Sequence, residues 1–241
     1  MGKRLFDLSF ALIALLLTLP IIALFAFLIW AQDGHSPFYR GLRVGRGGRD
    51  FRMIKLRTMV AGGDRLGGSS TSAADWRVTR VGSALRRLKL DELPQFWNVL
   101  LADMSVVGPR PNLRRGGVDR YTAEEQRLLS IRPGITDMAS IVFADEGEIL
   151  KGSADPDAAY DRQIRPWKNR LALLYVDRHG FAADIVLIGL TIVALISRRW
   201  ALRGVSVMLQ RWDADPKLRR ICSRVAPLPM GEPPGQMVRL S

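Results

Sequence analysis

The chain has 241 residues, 48% of them hydrophobic, and its 36 Lys and Arg against 23 Asp and Glu give a formal net charge of +13. That is enough apolar material for a sizeable core, and the charge predicts anionic partners: nucleic acid, an anionic membrane leaflet or phosphorylated substrates. The single cysteine, Cys222, excludes an intrachain disulfide framework, and the distant histidines His35 and His179, with no cysteine nearby, argue against a zinc site.

No charged side chain occurs from Leu8 to Gln32. The run from Leu8 to Trp30 would reach roughly 35 Å as a helix, enough to cross a bilayer. It is too long for the apolar region of a cleaved signal peptide, and no Ala-x-Ala site precedes the basic segment that follows. Lys3 and Arg4 precede the run, while Arg40, Arg43, Arg46 and Arg49 follow it. Basic residues mark the cytoplasmic side, and here both flanks are basic. Pro20 removes a backbone donor in the middle and kinks a helix. Residues 1–36 are therefore expected to form a re-entrant helix-break-helix anchor, with a straight spanning helix as its rival.

Two short runs, Phe38 to Val44 and Phe51 to Leu56, flank a turn signalled by Gly45, Gly47 and Gly48 and predict a small β-hairpin. Most of its arginines suit a solvated, membrane-facing surface. Lys55 and Arg57 sit just before a loop and are candidates for holding phosphates. Ala61 to Ala74 is rich in Gly, Ser, Thr and Ala and reads as a linker or a lid. Val81, Leu85 and Leu88 share a helical stripe, and Arg80, Arg86, Arg87 and Lys89 lie on or near that helix.

The helix leads to Leu90-Asp91-Glu92-Leu93-Pro94. Apolar residues at Leu93, Phe96, Trp97, Leu100 and Leu101 predict a second helix. Pro94 fits only a first turn, so that helix should begin at about Glu92. Two readings of Asp91 and Glu92 compete. As helix-start acids they would be caps. As ionised carboxylates beside backbone donors they could serve as nucleophile and metal ligand. Neighbouring cations would pair with them or bind substrate phosphates.

Farther on, Pro109-Arg110-Pro111 holds a guanidinium on a stiff turn, suited to a phosphate or a base. Thr122 and Glu125 form a capping box for a short helix through Leu129. Ile141-Val142-Phe143 reads as a short strand. Asp155-Pro156 starts a helix that Pro166 kinks and His179-Gly180 ends. Ile185 to Ser197 is uncharged but too short to span, so it fits either an interfacial or a core helix. Val205 to Trp212 is a second amphipathic piece. The proline-rich stretch from Pro227 is expected to be disordered.

Taken in order, Lys55-Leu56-Arg57-Thr58-Met59, Thr79-Arg80-Val81-Gly82, Leu90-Asp91-Glu92-Leu93-Pro94-Gln95, Trp97-Asn98-Val99-Leu100, Val107-Gly108-Pro109-Arg110-Pro111 and Pro133-Gly134-Ile135-Thr136 resemble the bacterial sugar transferases, the monotopic polyprenyl-phosphate phosphoglycosyl transferases. The resemblance covers residues 1 to about 200 and favours a minimal catalytic form. It implies an enzyme on the cytoplasmic face of the bacterial inner membrane. Such an enzyme moves a sugar 1-phosphate from a UDP-sugar to undecaprenyl phosphate with release of UMP, giving an undecaprenyl diphosphate sugar, the first membrane step of exopolysaccharide, capsule, O-antigen or glycoprotein glycan assembly. It further implies Asp91 as a nucleophile that forms a phosphosugar intermediate, Glu92 as a Mg²⁺ ligand, and Pro109, Arg110 and Pro111 as nucleotide contacts. Arg57, Arg80 and Arg86 are candidates for the remaining phosphate charge.

Two positions depart from the family pattern: Leu19 rather than Ser precedes Pro20, and Asp137-Met138-Ala139-Ser140-Ile141 replaces the usual Gly-Trp-Ala-Gln-Val. The alternative function is a catalytically silent membrane scaffold for glycan-assembly enzymes. A nucleic-acid-binding protein is disfavoured, since no recognition helix or stacking-aromatic motif is present. Oligomeric state carries no sequence signal. The expected architecture is mostly helical α+β, with the anchor over 1–36, a catalytic domain over 37–200, membrane-surface amphipathic helices including a C-terminal segment over 201–226, and a tail over 227–241.

Overall fold

The N-terminal apolar run folds as α1, Gly2–Asp33, a helix long and apolar enough to cross a membrane by length and composition. In the computed structural model, which describes residues 2–66 and 75–236, Pro20 lies inside this helix without interrupting it. The break expected there is thus absent as an interruption of the helix. The Thr18 hydroxyl donates to the Ala14 carbonyl at 2.6 Å in the turn before the proline, a side-chain bond that tends to bend helices.

One stripe of α1 is covered. Asp7, Ala11, Ile22 and Ile29 are buried against the rest of the chain, while Leu12, Leu16, Leu17, Leu24 and Phe27 on other faces are exposed. Both ends are fastened to the same body. Lys3 bonds Asp184, and Asp7 accepts from Ser105 Oγ at 2.8 Å and Val106 N at 3.1 Å. At the other end Asp33 receives a fork from Arg57, with both nitrogens at 2.6 Å.

The hairpin forms where its glycine turn predicts. β1, Phe38–Val44, pairs antiparallel with β2, Asp50–Leu56, in a register that sets Phe38 opposite Leu56. Gly47 and Gly48 turn the chain at φ 68° and 76°, backbone that side chains rarely adopt. α2, Arg80–Leu88, is capped by Thr79, whose hydroxyl accepts from Gly82 N. α3, Gln95–Leu100, follows. Asn98 on α3 accepts from Ile54 N at 2.9 Å and donates to Arg52 O at 2.8 Å, which staples β2 to this helix.

β3, Ser105–Val107, pairs in parallel with β4, Gly134–Thr136. The strands meet at two glycines: a Cβ on Gly134 would stand 2.0 Å from Gly108 N. Downstream lie α4, Met138–Val142; α5, Glu146–Ile149; α6, Pro156–Gln163; α7, Arg165–Arg178; α8, Phe181–Ile196; α9, Arg198–Arg211; and α10, Pro216–Cys222. The main core joins Val99, Met104, Val106, Met138, Ile141, Leu171 and Tyr175 to Val205, Leu209 and Ile221. Packing therefore runs continuously across the boundary expected at residue 200.

Several local expectations change. Ile141 and Val142 lie on helix α4, not a strand, because Asp137 and Ser140 close a capping box that starts it. Pro166 begins α7 rather than kinking a longer helix. Residues 227–236 lie against α6 and α7: Trp167 Nε1 donates to Pro229 O at 3.0 Å, and Gly231 N donates to Arg162 O at 2.9 Å. These bonds replace the disorder expected for that part of the tail. α8 is mainly surface, with Phe181, Ile185, Ile192 and Ile196 exposed, which removes the core-helix alternative. Its first turn packs on α1 through an edge-to-face contact of Phe6 with Phe181, centroids 5.2 Å apart. Residues 67–74 of the expected lid lie outside the described residues.

Candidate active site

Three chain segments build the site. α2 ends when Lys89 turns left-handed at φ 58°, and a single 3₁₀ turn, Leu90–Glu92, carries Asp91 and Glu92 before α3 begins at Gln95. The pair therefore precedes α3 by a full turn, not at the helix start expected near Glu92. Its electrostatics come from side chains. β2 delivers Lys55, whose ammonium lies 2.9 Å from Glu92 Oε1. β3 runs into Gly108-Pro109, and the bonds from Gly108 N to Thr136 O and from Gly134 N to Pro109 O hold this turn. It aims Arg110 at both oxygens of Glu92: one nitrogen bonds Oε1 closely and the other reaches Oε2 at 3.3 Å.

The two carboxylates are treated unequally. Burial alone would raise the Glu92 pKa, but Arg110 and Lys55 outweigh it and hold Glu92 ionised, well below the usual carboxylate range. Arg110 is raised in turn, chiefly by Glu92. Asp91 is 7% exposed and accepts no hydrogen bond from any described residue. Burial, then the charge of Glu92, push its pKa up, against the pull of Lys55, Arg110 and Lys89. Lys55 is lowered, by burial first, although it is paired. The result is a partner-free carboxylate beside one locked in place by two cations.

The remaining candidates separate. Arg86 is half-buried, bonds Thr58 Oγ1 at 2.8 Å and feels the charge of Asp91. Gly82 makes this approach possible, since a Cβ there would stand 1.9 Å from Thr58 O. Arg80 is exposed on the first turn of α2 and makes no hydrogen bond to a described residue. Arg57 is withdrawn from the site: besides its fork onto Asp33 it donates to Ser36 O at 2.8 Å. These bonds fasten the end of α1. Pro109 and Arg110 line two adjoining clefts, and Pro111 lines one of them.

Sequence reasoning missed Asp137, Ser140, Tyr160 and Lys168, which line the second cleft beside Arg110. The one available signal was the departure at Asp137-Met138. Among the described residues no group of three or more His, Cys, Asp or Glu side chains could hold a metal ion.

A profile of the bacterial sugar transferase family matches residues 1–198. The chain is 36% identical over 189 residues, 75% of its length, to a UDP-N-acetylgalactosamine-undecaprenyl-phosphate N-acetylgalactosaminephosphotransferase of Aeromonas hydrophila, of which it spans only 44%. It is 32% identical over 213 residues to the exopolysaccharide production protein ExoY of Sinorhizobium fredii, covering 82% of this chain and 87% of that one. It is 39% identical over 174 residues to a UDP-glucose:undecaprenyl-phosphate glucose-1-phosphate transferase of Caulobacter vibrioides, covering 69% and 65%. With the match running from the apolar helix through the carboxylate pair to the end of α8, the chain belongs to the bacterial sugar transferase family.

Proposed function

We propose that the protein transfers a sugar 1-phosphate from a UDP-sugar to undecaprenyl phosphate, releasing UMP and giving an undecaprenyl diphosphate sugar. The observation that carries this reading is the unequal pair: Asp91 without a hydrogen-bond partner among the described residues beside Glu92 held by Lys55 and Arg110. The names of the relatives support the substrate classes.

In this reading an Asp91 oxygen attacks the sugar-bearing phosphorus of the diphosphate. The bond to the bridging oxygen breaks and UMP leaves with the electron pair. An oxygen of undecaprenyl phosphate then attacks the same phosphorus and returns Asp91 as a carboxylate. Splitting the displacement lets the soluble and the lipid substrate react in turn. Phosphoryl transfer asks mainly for positioning and charge neutralisation, for which Arg86 and the Lys55–Arg110 pair are placed.

An all-oxygen donor set suits Mg²⁺, and Glu92 Oε2, with only the longer bond from Arg110, is the oxygen with more open capacity. Glu92 would hold the ion together with substrate phosphates. When bound, Mg²⁺ neutralises phosphate charge.

We place the protein on the cytoplasmic leaflet of the inner membrane. The fastening of Lys3 and Asp7 at one end of α1 and of Asp33 at the other to a single body supports a helix whose two ends both stay with that body on the cytoplasmic side. The exposed apolar residues of α1 and α8 supply the lipid-facing surface, and the net charge of +13 suits anionic lipid. Labels at Gly2 and Ser36 are expected to react only from the cytoplasm; a periplasmic Ser36 would establish a spanning helix instead.

The deciding experiment incubates purified protein with Mg²⁺ and a panel of UDP-sugars. Without the lipid, one equivalent of UMP and a mass increase of one phosphosugar on Asp91 are expected. With undecaprenyl phosphate, release becomes catalytic. No UMP from any sugar would favour the scaffold, and turnover without an adduct would remove the covalent route.

A further inference from the structure

The arginines of the β1–β2 hairpin divide by face. Strand alternation sets Tyr39, Gly41 and Arg43 on one side of β1 and Arg40 and Leu42, both exposed, on the other. The register places Lys55 opposite Tyr39, Met53 opposite Gly41 and Phe51 opposite Arg43. Phe51 and Met53 belong to the main core and Lys55 bonds Glu92, so the side that carries Arg43 faces the candidate site. Gly41 lets the Tyr39 ring fold back along the strand: a Cβ there would stand 2.7 Å from Tyr39 Cε1 and 2.9 Å from its hydroxyl oxygen. The ring brings its phenol up to the Arg43 guanidinium and steadies that charge. One residue on, Val44 N donates to Asn112 O at 2.9 Å, which ties the end of β1 to the segment that carries Arg110. Arg43 thus stands beside Arg110, near enough for the two cations to repel.

The cations around the site differ in what they already hold. Lys55 and Arg110 are both committed to Glu92. Arg86 is bonded to Thr58 Oγ1. Arg43 donates to the carbonyl of its neighbour Leu42 at 2.8 Å and pairs with no carboxylate among the described residues. A half-buried guanidinium beside a second cation, with no counter-ion of its own, is destabilising until an anion joins the two. A diphosphate is such an anion, and the planar fork of an arginine suits a phosphate.

We propose that Arg43, held by Tyr39 over Gly41, binds the nucleotide-side phosphate of the nucleotide sugar, the one that leaves as UMP. This rests on the transferase reading of Asp91 and Glu92. The charges that Asp91 feels most are those of Glu92, Lys55, Arg110 and Lys89, whereas the cation that Arg43 feels is Arg110. Arg43 is therefore next to Arg110 and farther from the nucleophile. An in-line displacement sets the leaving phosphate opposite the attacking oxygen, on that farther side. As the bridging bond breaks, the leaving phosphate gains negative charge. Arg43 supplies a cation there that is not shared with Glu92. Val44 and Gly45, next in the chain, line the same cleft as Pro109, Arg110 and Pro111, so the nucleoside attached to that phosphate has a surface to lie on.

The test measures binding of UMP and of uridine, which lacks the phosphate, to the wild type, Arg43→Gln, Arg43→Lys and Gly41→Ala. Arg43→Gln is expected to weaken UMP at least about tenfold, the size of one charged hydrogen bond, and to leave uridine unchanged. Its kcat/KM for the UDP-sugar should fall at least as far. Arg43→Lys, which keeps the charge without the fork, should recover part of the loss, and it carries the test if Arg43→Gln does not fold. Gly41→Ala changes no charge but displaces the Tyr39 ring, so it should weaken UMP in the same direction and by less. Folded arginine variants that bind UMP as the wild type does would overturn the proposal. Equal weakening of UMP and uridine would overturn it too, since Arg43 would then only shape the cleft. A wild type that releases no UMP from any UDP-sugar, yet binds UMP through Arg43, would sink the transferase reading and leave the phosphate site standing.

Discussion

Two buried clusters use nearly the same parts and come out differently. At the start of α1, Asp7 and Asp184 are joined by Lys3 and Tyr175, and all four carboxylate oxygens have partners: Val106 N, Ser105 Oγ, the Tyr175 hydroxyl and the Lys3 ammonium. At the candidate active site, Asp91 and Glu92 lie beside Lys55 and Arg110, and both cations go to Glu92. A carboxylate whose bonds are complete holds a structure together. One left without a partner while its neighbour is locked is set up to react with something that is not protein.

The largest effect that would test this contrast is on turnover. Asp91→Asn is expected to reduce UMP release by more than about a thousandfold. Stability should not fall. Asp91 has a raised pKa in the fold, so above the ordinary carboxylate range its ionised form works against folding, and the amide removes that cost. A variant that stays active, or that melts well below the wild type, would break the comparison. Asp184→Ala should do the opposite. It removes the carboxylate that Lys3 and Tyr175 share, leaving Val107 O as their nearest acceptor, and is expected to cost about 1–3 kcal/mol, read as a lower melting temperature. The remaining folded fraction should keep its kcat.

The pH profile sharpens the same contrast. In the proposed mechanism Asp91 attacks as a carboxylate, so the acid limb of kcat/KM is expected above the usual aspartate range. Lys55, lowered by burial, should set an alkaline limb below the usual lysine range. The stability contributed by Glu92, whose pKa is depressed, should persist above its unfolded value and disappear only as pH falls through the lower folded one. An acid limb at or below the usual aspartate range would contradict the placement of Asp91. The smallest effect is expected for Thr79→Ala, which removes the cap of α2 at about 1 kcal/mol and should leave the pH profile alone.

What the sequence made legible follows from what is local. The β1–β2 hairpin, the Asp155-Pro156 start of α6 and the Thr122–Glu125 capping box depend on neighbours a few residues apart, and each forms. Ile141 and Val142 misled because β-branched residues read as strand, while the Asp137–Ser140 cap decides for helix. Asp91 and Glu92 were legible as a pair, but their inequality was not. It is made by Lys55 from 37 positions upstream and by Arg110 from 18 downstream of Glu92. Nothing local in the sequence shows that Arg57 would fork onto Asp33, 24 positions upstream. The cleft residues Tyr160 and Lys168 reach Arg110 only through tertiary packing.

The fastening of α1 at both ends has a mechanical consequence. A helix of 32 residues is about 48 Å long, and a free one could tilt to suit the thickness of its bilayer. This one is pinned at Lys3 and Asp7 on one side and at Asp33 on the other, so it cannot rotate without carrying Asp91 with it. In a membrane the helix would work as a keel, fixing the draught at which Asp91 rides. Hydrophobic mismatch then has to be absorbed by the lipids and not by the protein. Turnover in vesicles of longer or shorter acyl chains is expected to vary little for as long as both pins hold.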